Sequence, residues 1–287
     1  MTDLGLLHFC LGIEVWQRKD GIFISQQKYS KEILKAFGMM DCKPTSTPME
    51  VNHKLSMDDN MPDVDAKKYR KLVGSLIFLC NTRPDICYAV GVLSRFSNKP
   101  KESHWNAGMR ILRYIAGTLD FGILYTTGDT LQGYCDSDWA GDCDSRKSVS
   151  GYCFSLGSGI FSWVSRKQPT LALSSTEAEY KAACFASCEA VWLRRILADL
   201  GFPSNMPTVL KCDNQSCMAI AKNPVFHART KHIEVQYHYI RELIEDEIVE
   251  LEYCPTEANC ADIFTKALGR EQLNKHLQQM GIGPRPT

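Results

Sequence analysis

The sequence predicts an α/β protein in which a mixed sheet covered by helices follows a mainly helical region that opens on a β-hairpin. Apolar and polar residues alternate on both sides of Lys19, Asp20 and Gly21 in FCLGIEVWQRKDGIFISQQ, the period of two paired strands. Between Lys67 and Ala116 the apolar spacing is helical instead. Beyond Leu131 an antiparallel meander runs into alternating helices and strands, a pattern that a mixed sheet with helical layers accounts for.

In the hairpin, the Asp-Gly pair suits a turn with positive φ. Tyr29 to Phe37 has helical spacing and stops at Gly38, and the proline-rich stretch Asp41 to Asp65 reads as a long connection. Helices are predicted over Lys67 to Asn81, Pro84 to Phe96 with proline at the favoured first position, and Glu102 to Ala116, closed by Gly117. Phe121 to Tyr125 is a strand, and the polar break Thr126 to Thr130 marks a domain boundary. Strands follow at Leu131 to Cys135, Val149 to Leu156 and Ile160 to Val164, the last two flanking Gly157, Ser158 and Gly159 as a second hairpin. A long helix from about Ser174 to Leu200 precedes a strand at Thr208 to Cys212 and helices at Gln215 to Ala221 and near Ile233 to Ile244. The pattern ends with a strand at Ile248 to Tyr253 and a helix from Asn259.

Composition narrows the function. The 287 residues suffice for one large or two ordinary domains, and a net charge of +0 means that nucleic-acid binding has to rest on local patches. The 13 cysteines are odd in number and contain no CxxC pair. Cys80, Cys87, Cys153, Cys184 and Cys212, in apolar contexts, read as buried free thiols of a reducing compartment. No apolar run approaches the roughly 18 residues of a membrane span, and the N-terminus lacks a signal-peptide layout. A soluble, intracellular protein of the cytoplasm or nucleus, without membrane contact, is expected.

Chemistry concentrates in acids at element ends. The run through Tyr134 and Cys135 stops on Asp136, and that through Leu210 and Cys212 stops on Asp213; TEAEYKAA opens a helix with Glu177 and Glu179, and Asp262 sits in the first turn of NCADIFTKAL. Such a set can hold hard divalent cations, which take oxygen ligands. A calcium loop in DSDWAG fails, because Ala140 replaces one ligand and Lys147 stands where a glutamate is needed. His227, His232 and His238 have no cysteine partner at zinc-finger spacing. Arg166 and Lys167 after a strand, and Arg229, Lys231 and His232 before a helix, are candidate phosphate contacts. Trp139 and Trp192 read as packing residues.

The motifs GYCDSDWAGDCDSRKSVSGYCF, SSTEAEYKAA, CDNQSCMAIAKNPVFHARTKHIE and ADIFTKAL closely resemble the ribonuclease H domain of copia-type LTR retrotransposon Pol polyproteins. MTDLGLLHFCLGIEV resembles the end of the reverse transcriptase palm, followed by thumb and connection through TRPDICYAVGVLSRF. The resemblance implies three segments: a partial reverse transcriptase over 1–125, a ribonuclease H domain over 131–268 and a C-terminal tail over 269–287. It implies an RNase H-like five-stranded mixed sheet with flanking helices. Asp136, Glu179, Asp213 and Asp262 would then be catalytic and would ligate two Mg²⁺ ions about 4 Å apart, with Asp136 bridging them and Mn²⁺ able to substitute. The implied activity is endonucleolytic cleavage of the RNA strand of RNA/DNA hybrids, and other parts of a Pol protein are implied partners. The paired-aspartate polymerase motif YVDD does not occur in these residues, so no polymerase activity is expected. The alternative is an inactive remnant that binds nucleic acid or a protein. Cellular-type enzymes of the family carry a mobile histidine about ten residues before the last acid, which the resemblance links to product release; Glu252, Tyr253 and Cys254 stand there, leaving His227 or His232 as candidate substitutes.

The helix discriminates between the glutamates. Glu177 and Glu179 point about 200° apart at about 100° per residue, so one site cannot use both. Glu179 borders the apolar stripe of Ala182, Phe185, Ala186, Leu193 and Ile196 and is the predicted ligand, with Glu177 the alternative. On the opposite face, Glu177 is expected to be a capping or dipole contact worth a few tenths to about 1 kcal/mol. Glu189 falls inside the stripe, which requires a buried partner or a local bend.

Overall fold

A computed structural model describes residues 5–128, 130–222 and 234–286, the side chains of 234–238 excepted. Two units divide the chain: Met1–Gly128 with Gly157–Ile160 and Lys266–Thr287, and Asp129–Leu156 with Phe161–Thr265.

In the first unit, strands β1 (Phe9–Cys10), β2 (Ile13–Arg18), β3 (Gly21–Ser25), β4 (Phe121–Tyr125) and β10 (Ile282–Pro284) form an antiparallel sheet in the order β1-β2-β3-β4-β10. The predicted hairpin is β2–β3, with Arg18 opposite Gly21. Its Asp-Gly pair has another role than the predicted one, since neither Asp20 nor Gly21 has positive φ. A Cβ on Gly21 would collide with the carbonyl oxygen of Tyr125 on β4. Close strand approach therefore requires this glycine. Residues 269–287, set apart above as a tail, carry α8 (Arg270–Gln279) and β10.

Helices α1 (Gln27–Ala36), α2 (Ala66–Leu79), α3 (Cys87–Ser94) and α4 (Glu102–Ala116) bury Leu34, Tyr69, Leu72, Leu76, Leu93, Ile111 and Ile115. The Asp65 carboxylate caps α2 by accepting from the backbone N–H of Lys67 at 2.8 Å. The helix predicted from Pro84 begins instead as a 3₁₀ turn, Pro84–Ile86. There Asp85 reaches back to Arg83, which donates Nε and Nη2 at 3.0 and 2.8 Å. Both side chains are buried.

The second unit contains β5 (Leu131–Ser137), β6 (Val149–Leu156), β7 (Ile160–Lys167), β8 (Thr208–Cys212) and β9 (Val249–Tyr253), ordered β7-β6-β5-β8-β9. β5 is antiparallel to β6 but parallel to β8, and β8 is parallel to β9. This is the RNase H-like five-stranded mixed sheet that the resemblance implied. Helix α5 (Ser175–Asp199) lies on it through Ala183, Ala186 and Ala190, small side chains that join Tyr152, Phe154 and Leu210 in one core with α6 (Gln215–Lys222) and α7 (Glu234–Glu245). The helix predicted from Asn259 is a 3₁₀ segment, Cys260–Phe264. Among the described residues no helix is long and apolar enough to cross a membrane. None of the 13 cysteines forms a disulfide; Cys153, Cys184 and Cys212 are buried, while Cys80 and Cys87 are partly exposed.

Candidate active site

Parallel pairing decides where the acids meet. Gln132, Gly133 and Tyr134 of β5 lie beside Val209, Leu210 and Lys211 of β8. Continued by two residues, that register sets Asp136 beside Asp213 at the carboxyl ends of neighbouring strands, where α/β sheets place ligands. Asp136 pairs across β6 with Gly151. A Cβ on Gly151 would stand 2.6 Å from Phe264 Cβ and 3.2 Å from the Ala261 carbonyl oxygen, so its absence admits the 3₁₀ segment that carries Asp262.

That segment is tied to β5 on both sides of Asp262. Asn259 Nδ2 donates to the Cys135 carbonyl at 3.0 Å, its Oδ1 accepts from the Ala261 N–H at 3.2 Å, and Thr265 Oγ1 donates to Asp136 Oδ2. Thr256 Oγ1 donates to Asp213 Oδ2 at 2.7 Å. Sequence reasoning missed Gly151, Thr256, Asn259 and Thr265. The available signal was the placement of Asn259 and Thr265 three residues before and after Asp262, the reach of one helical turn.

The structure brings all four predicted acids together. Asp136, Asp213 and Asp262 each present a carboxylate oxygen within 4.8 Å of the others, and Glu179, Asp213 and Cys212 form a second such group. Asp213 is common to both groups. Asp136, Glu179 and Asp262 are buried and Asp213 is partly exposed. Burial, followed by the charges of Asp136, Cys212 and Asp213, pushes the Glu179 carboxyl up to about 11, against one backbone N–H from Ser137. Its Oε2 is buried without a hydrogen-bond partner. Hard oxygen donors that raise one another's proton affinity, one with an unused buried oxygen, fit a divalent cation.

Glu177 lies elsewhere. Its Oε1 pairs with Lys181 Nζ at 2.8 Å and its Oε2 accepts from the Leu173 N–H at 2.9 Å, while Ser174 Oγ caps the helix on the Glu177 N–H. Expected as a capping or dipole contact, it is a buried ion-pair partner and loop anchor. Glu189 is only partly buried, and its partner is the partly buried Ser162, whose Oγ donates at 2.6 Å.

Arg166 and Lys167, expected after a strand, are the last residues of β7. With Ser150, Gln168, Thr170, Lys181 and Phe185 they line a cavity of ≈ 230 Å³. Arg166 stacks over Phe185 at 5.7 Å, and Lys167 Nζ is 3.2 Å from Asp142 Oδ2. Arg229, Lys231, His232 and His227 lie outside the described residues, as does the side chain of His238. Trp139 and Trp192, expected to pack, are 57% and 54% exposed; Trp139 lies on the loop after β5, with its indole N–H donating to the Ala172 carbonyl at 3.2 Å.

Fold and site together define a ribonuclease H-like domain with a four-carboxylate centre. No family model matches the chain. It is 40% identical over 278 residues to the "Retrovirus-related Pol polyprotein from transposon RE2" of Arabidopsis thaliana, covering 96% of this chain and 19% of that protein. It is also 40% identical over 292 residues to the corresponding polyprotein from transposon TNT 1-94 of Nicotiana tabacum, covering 98% of this chain and 22% of that one. The chain belongs to the retrovirus-related Pol family of copia-type transposons. It spans about a fifth of the length of these relatives. Among solved structures it is similar to LC11-RNase H1, with 16% identity and a TM-score of 0.37 over 52% of this chain and 99% of that one.

Proposed function

We propose that the second unit is an endoribonuclease that hydrolyses the RNA strand of RNA/DNA hybrids with the help of divalent cations, Mg²⁺ or Mn²⁺. The observation that carries this reading is the convergence of Asp136, Glu179, Asp213 and Asp262 at the carboxyl ends of two parallel strands. When bound, a pair of such ions lowers the pKa of water and offsets charge developing on the leaving oxygen of the phosphodiester.

The chain's own residues divide the remaining work. The four carboxylates would hold the cations, and Glu179, kept protonated by burial and then by the charges of Asp136, Cys212 and Asp213, would have to ionise to join them. Thr265 and Asn259 fix Asp136 and Asp262 against β5. Arg166 and Lys167 contact phosphates and position the duplex without reading sequence. Selectivity for RNA comes from contacts to the 2′-hydroxyl, which DNA lacks. The first unit corresponds to the end of the palm, the thumb and the connection of a reverse transcriptase, and other parts of a Pol protein are its partners.

The deciding experiment incubates purified protein with labelled RNA/DNA hybrid and Mg²⁺. Cleavage confined to the RNA strand, abolished by EDTA and absent on RNA/RNA and DNA/DNA duplexes, is expected. Hybrid binding without cleavage at any Mg²⁺ or Mn²⁺ concentration would establish the inactive-remnant alternative instead.

A further inference from the structure

Beside the four acids lies a sulfur that hydrolysis does not use. Cys212 is the last residue of β8 and Asp213 the first beyond it. Neighbouring side chains on a strand point to opposite faces, but the strand ends between these two, and both present a ligand atom to the same space. Cys212 Sγ, a Glu179 carboxylate oxygen and an Asp213 carboxylate oxygen all lie within 4.8 Å of one another. Glu179, 6% exposed, has its Oε2 without a hydrogen-bond partner. The sulfur is itself held in place: the Asn214 N–H donates to it at 3.4 Å, and its own S–H points to the Asn214 carbonyl at 4.0 Å.

We propose that this corner is a binding site for thiophilic divalent cations, Zn²⁺ and Cd²⁺ above all, ligated by Cys212, Glu179 and Asp213. Thiolate is a soft ligand that favours such ions, whereas Mg²⁺ is held by oxygen alone. Zinc bonds of about 2.3 Å to sulfur and about 2.0–2.2 Å to carboxylate oxygen put two ligand atoms at most about 4.5 Å apart, so atoms within 4.8 Å of one another take up the ion with only a small closure of the side chains. Three protein ligands with the remaining position open is the layout of an accessible rather than a closed zinc site. Binding forms a metal–sulfur bond and releases the thiol proton to solvent. Glu179 and Asp213 are also the ligands proposed for the hard ions, so occupancy by a soft cation excludes them; that consequence rests on the reading of the previous subsection, while the site itself does not.

The test reads binding rather than activity. Metal-free full-length protein competes with a chromophoric chelator for Zn²⁺, and Mn²⁺ is titrated separately by its electron paramagnetic resonance signal. Cys212→Ser, with the other twelve cysteines in place, is expected to weaken Zn²⁺ binding by at least about tenfold and to leave Mn²⁺ binding within about twofold, because only the soft ligand is lost. Glu179→Gln is expected to weaken both, and, lying on a helix rather than on β8, it decides the matter alone if Cys212→Ser does not fold. Zn²⁺ affinity unchanged in either variant overturns the proposal. Cys212-dependent Zn²⁺ binding in a protein that takes up no Mn²⁺ would uphold this site and overturn the hard-ion reading.

Discussion

Each unit buries a cluster of ionisable side chains, and the two are built on opposite principles. In the first unit Asp85 receives two N–H groups from Arg83 and the Tyr114 hydroxyl at 2.8 Å, while Arg83 also donates to the Thr118 carbonyl at 2.9 Å and hydroxyl at 2.7 Å. Charge is balanced within the cluster, and every hydrogen bond serves the fold. In the second unit Glu179 faces Asp136, Cys212 and Asp213, all of which oppose its ionisation. No positive charge among these neighbours balances the acids. Burial alone therefore does not mark a functional acid; what surrounds it does.

The sharpest way to break this contrast is to neutralise one acid from each cluster. Asp136→Asn or Asp213→Asn is expected to cost at least about 100-fold in Mg²⁺-dependent hybrid cleavage, since outer partners of metal ligands alone are worth 10–100-fold, with no fall in melting temperature. Asp85→Asn is expected to do the reverse. An uncompensated buried Arg83 costs about 3–5 kcal/mol, seen in denaturant or thermal unfolding, with cleavage by the folded fraction unchanged. Equal effects of both substitutions on both measurements would remove the distinction.

Glu179→Gln adds a pH signature. A carboxyl whose folded value is about 11 against an ordinary 4.5 favours the native state fully below pH 4.5, and that contribution is lost as pH rises through the folded value. Metal-free wild-type protein is therefore expected to lose stability between about pH 5 and 11, whereas Glu179→Gln follows a flatter curve and Mg²⁺ flattens that of the wild type. The same variant is expected to abolish Mg²⁺-dependent hybrid cleavage. Glu177→Gln is expected to retain cleavage but to lose about 1.5–3 kcal/mol of stability, through a weakened Lys181 pair and Leu173 anchor. Melting curves of both variants at pH 6 and pH 9 check the assignment.

Smaller effects come from the supports. Thr265→Val removes the hydroxyl that holds Asp136 and is expected to weaken Mg²⁺ activation by about 10–100-fold, read as a rise in the Mg²⁺ concentration at half-maximal rate. Removing Arg166 and Lys167 together should lower hybrid affinity and reduce the slope of log affinity against log salt by about 0.7–0.9 per lost phosphate contact. An unchanged slope would assign the pair to packing on Phe185 and to the Asp142 ion pair.

Helix α4 begins and ends at the residues its apolar spacing indicated, and Asp136 and Asp213 stand where β-branched and apolar runs stop, because both signals are local. Helical angles likewise separated Glu179, which lies beside Asp213, from Glu177, which pairs with Lys181. What was hidden depends on distant partners. The three-residue strand β10 has no period to display, and Pro284 argues against it until β4 is seen to accept it as an edge. The burial of Glu177 requires Lys181 and the Leu173 N–H, which close around it only when the preceding loop folds back. Thr265 and Asn259 look like ordinary polar residues in sequence, and their targets on β5 lie more than a hundred residues away. The second role of Asp-Gly was concealed for the same reason: the carbonyl that demands Gly21 belongs to β4.

The place of β10 at the edge of the first sheet also fixes a schedule for synthesis. β1 to β4 leave the ribosome with Tyr125, but their last neighbour cannot pair before Ile282 emerges. At about 5–20 residues per second that interval is roughly 10–30 s. Throughout it β4 presents an unpaired edge, the kind that recruits strands from other chains, and every strand of the second sheet is made before that edge is closed.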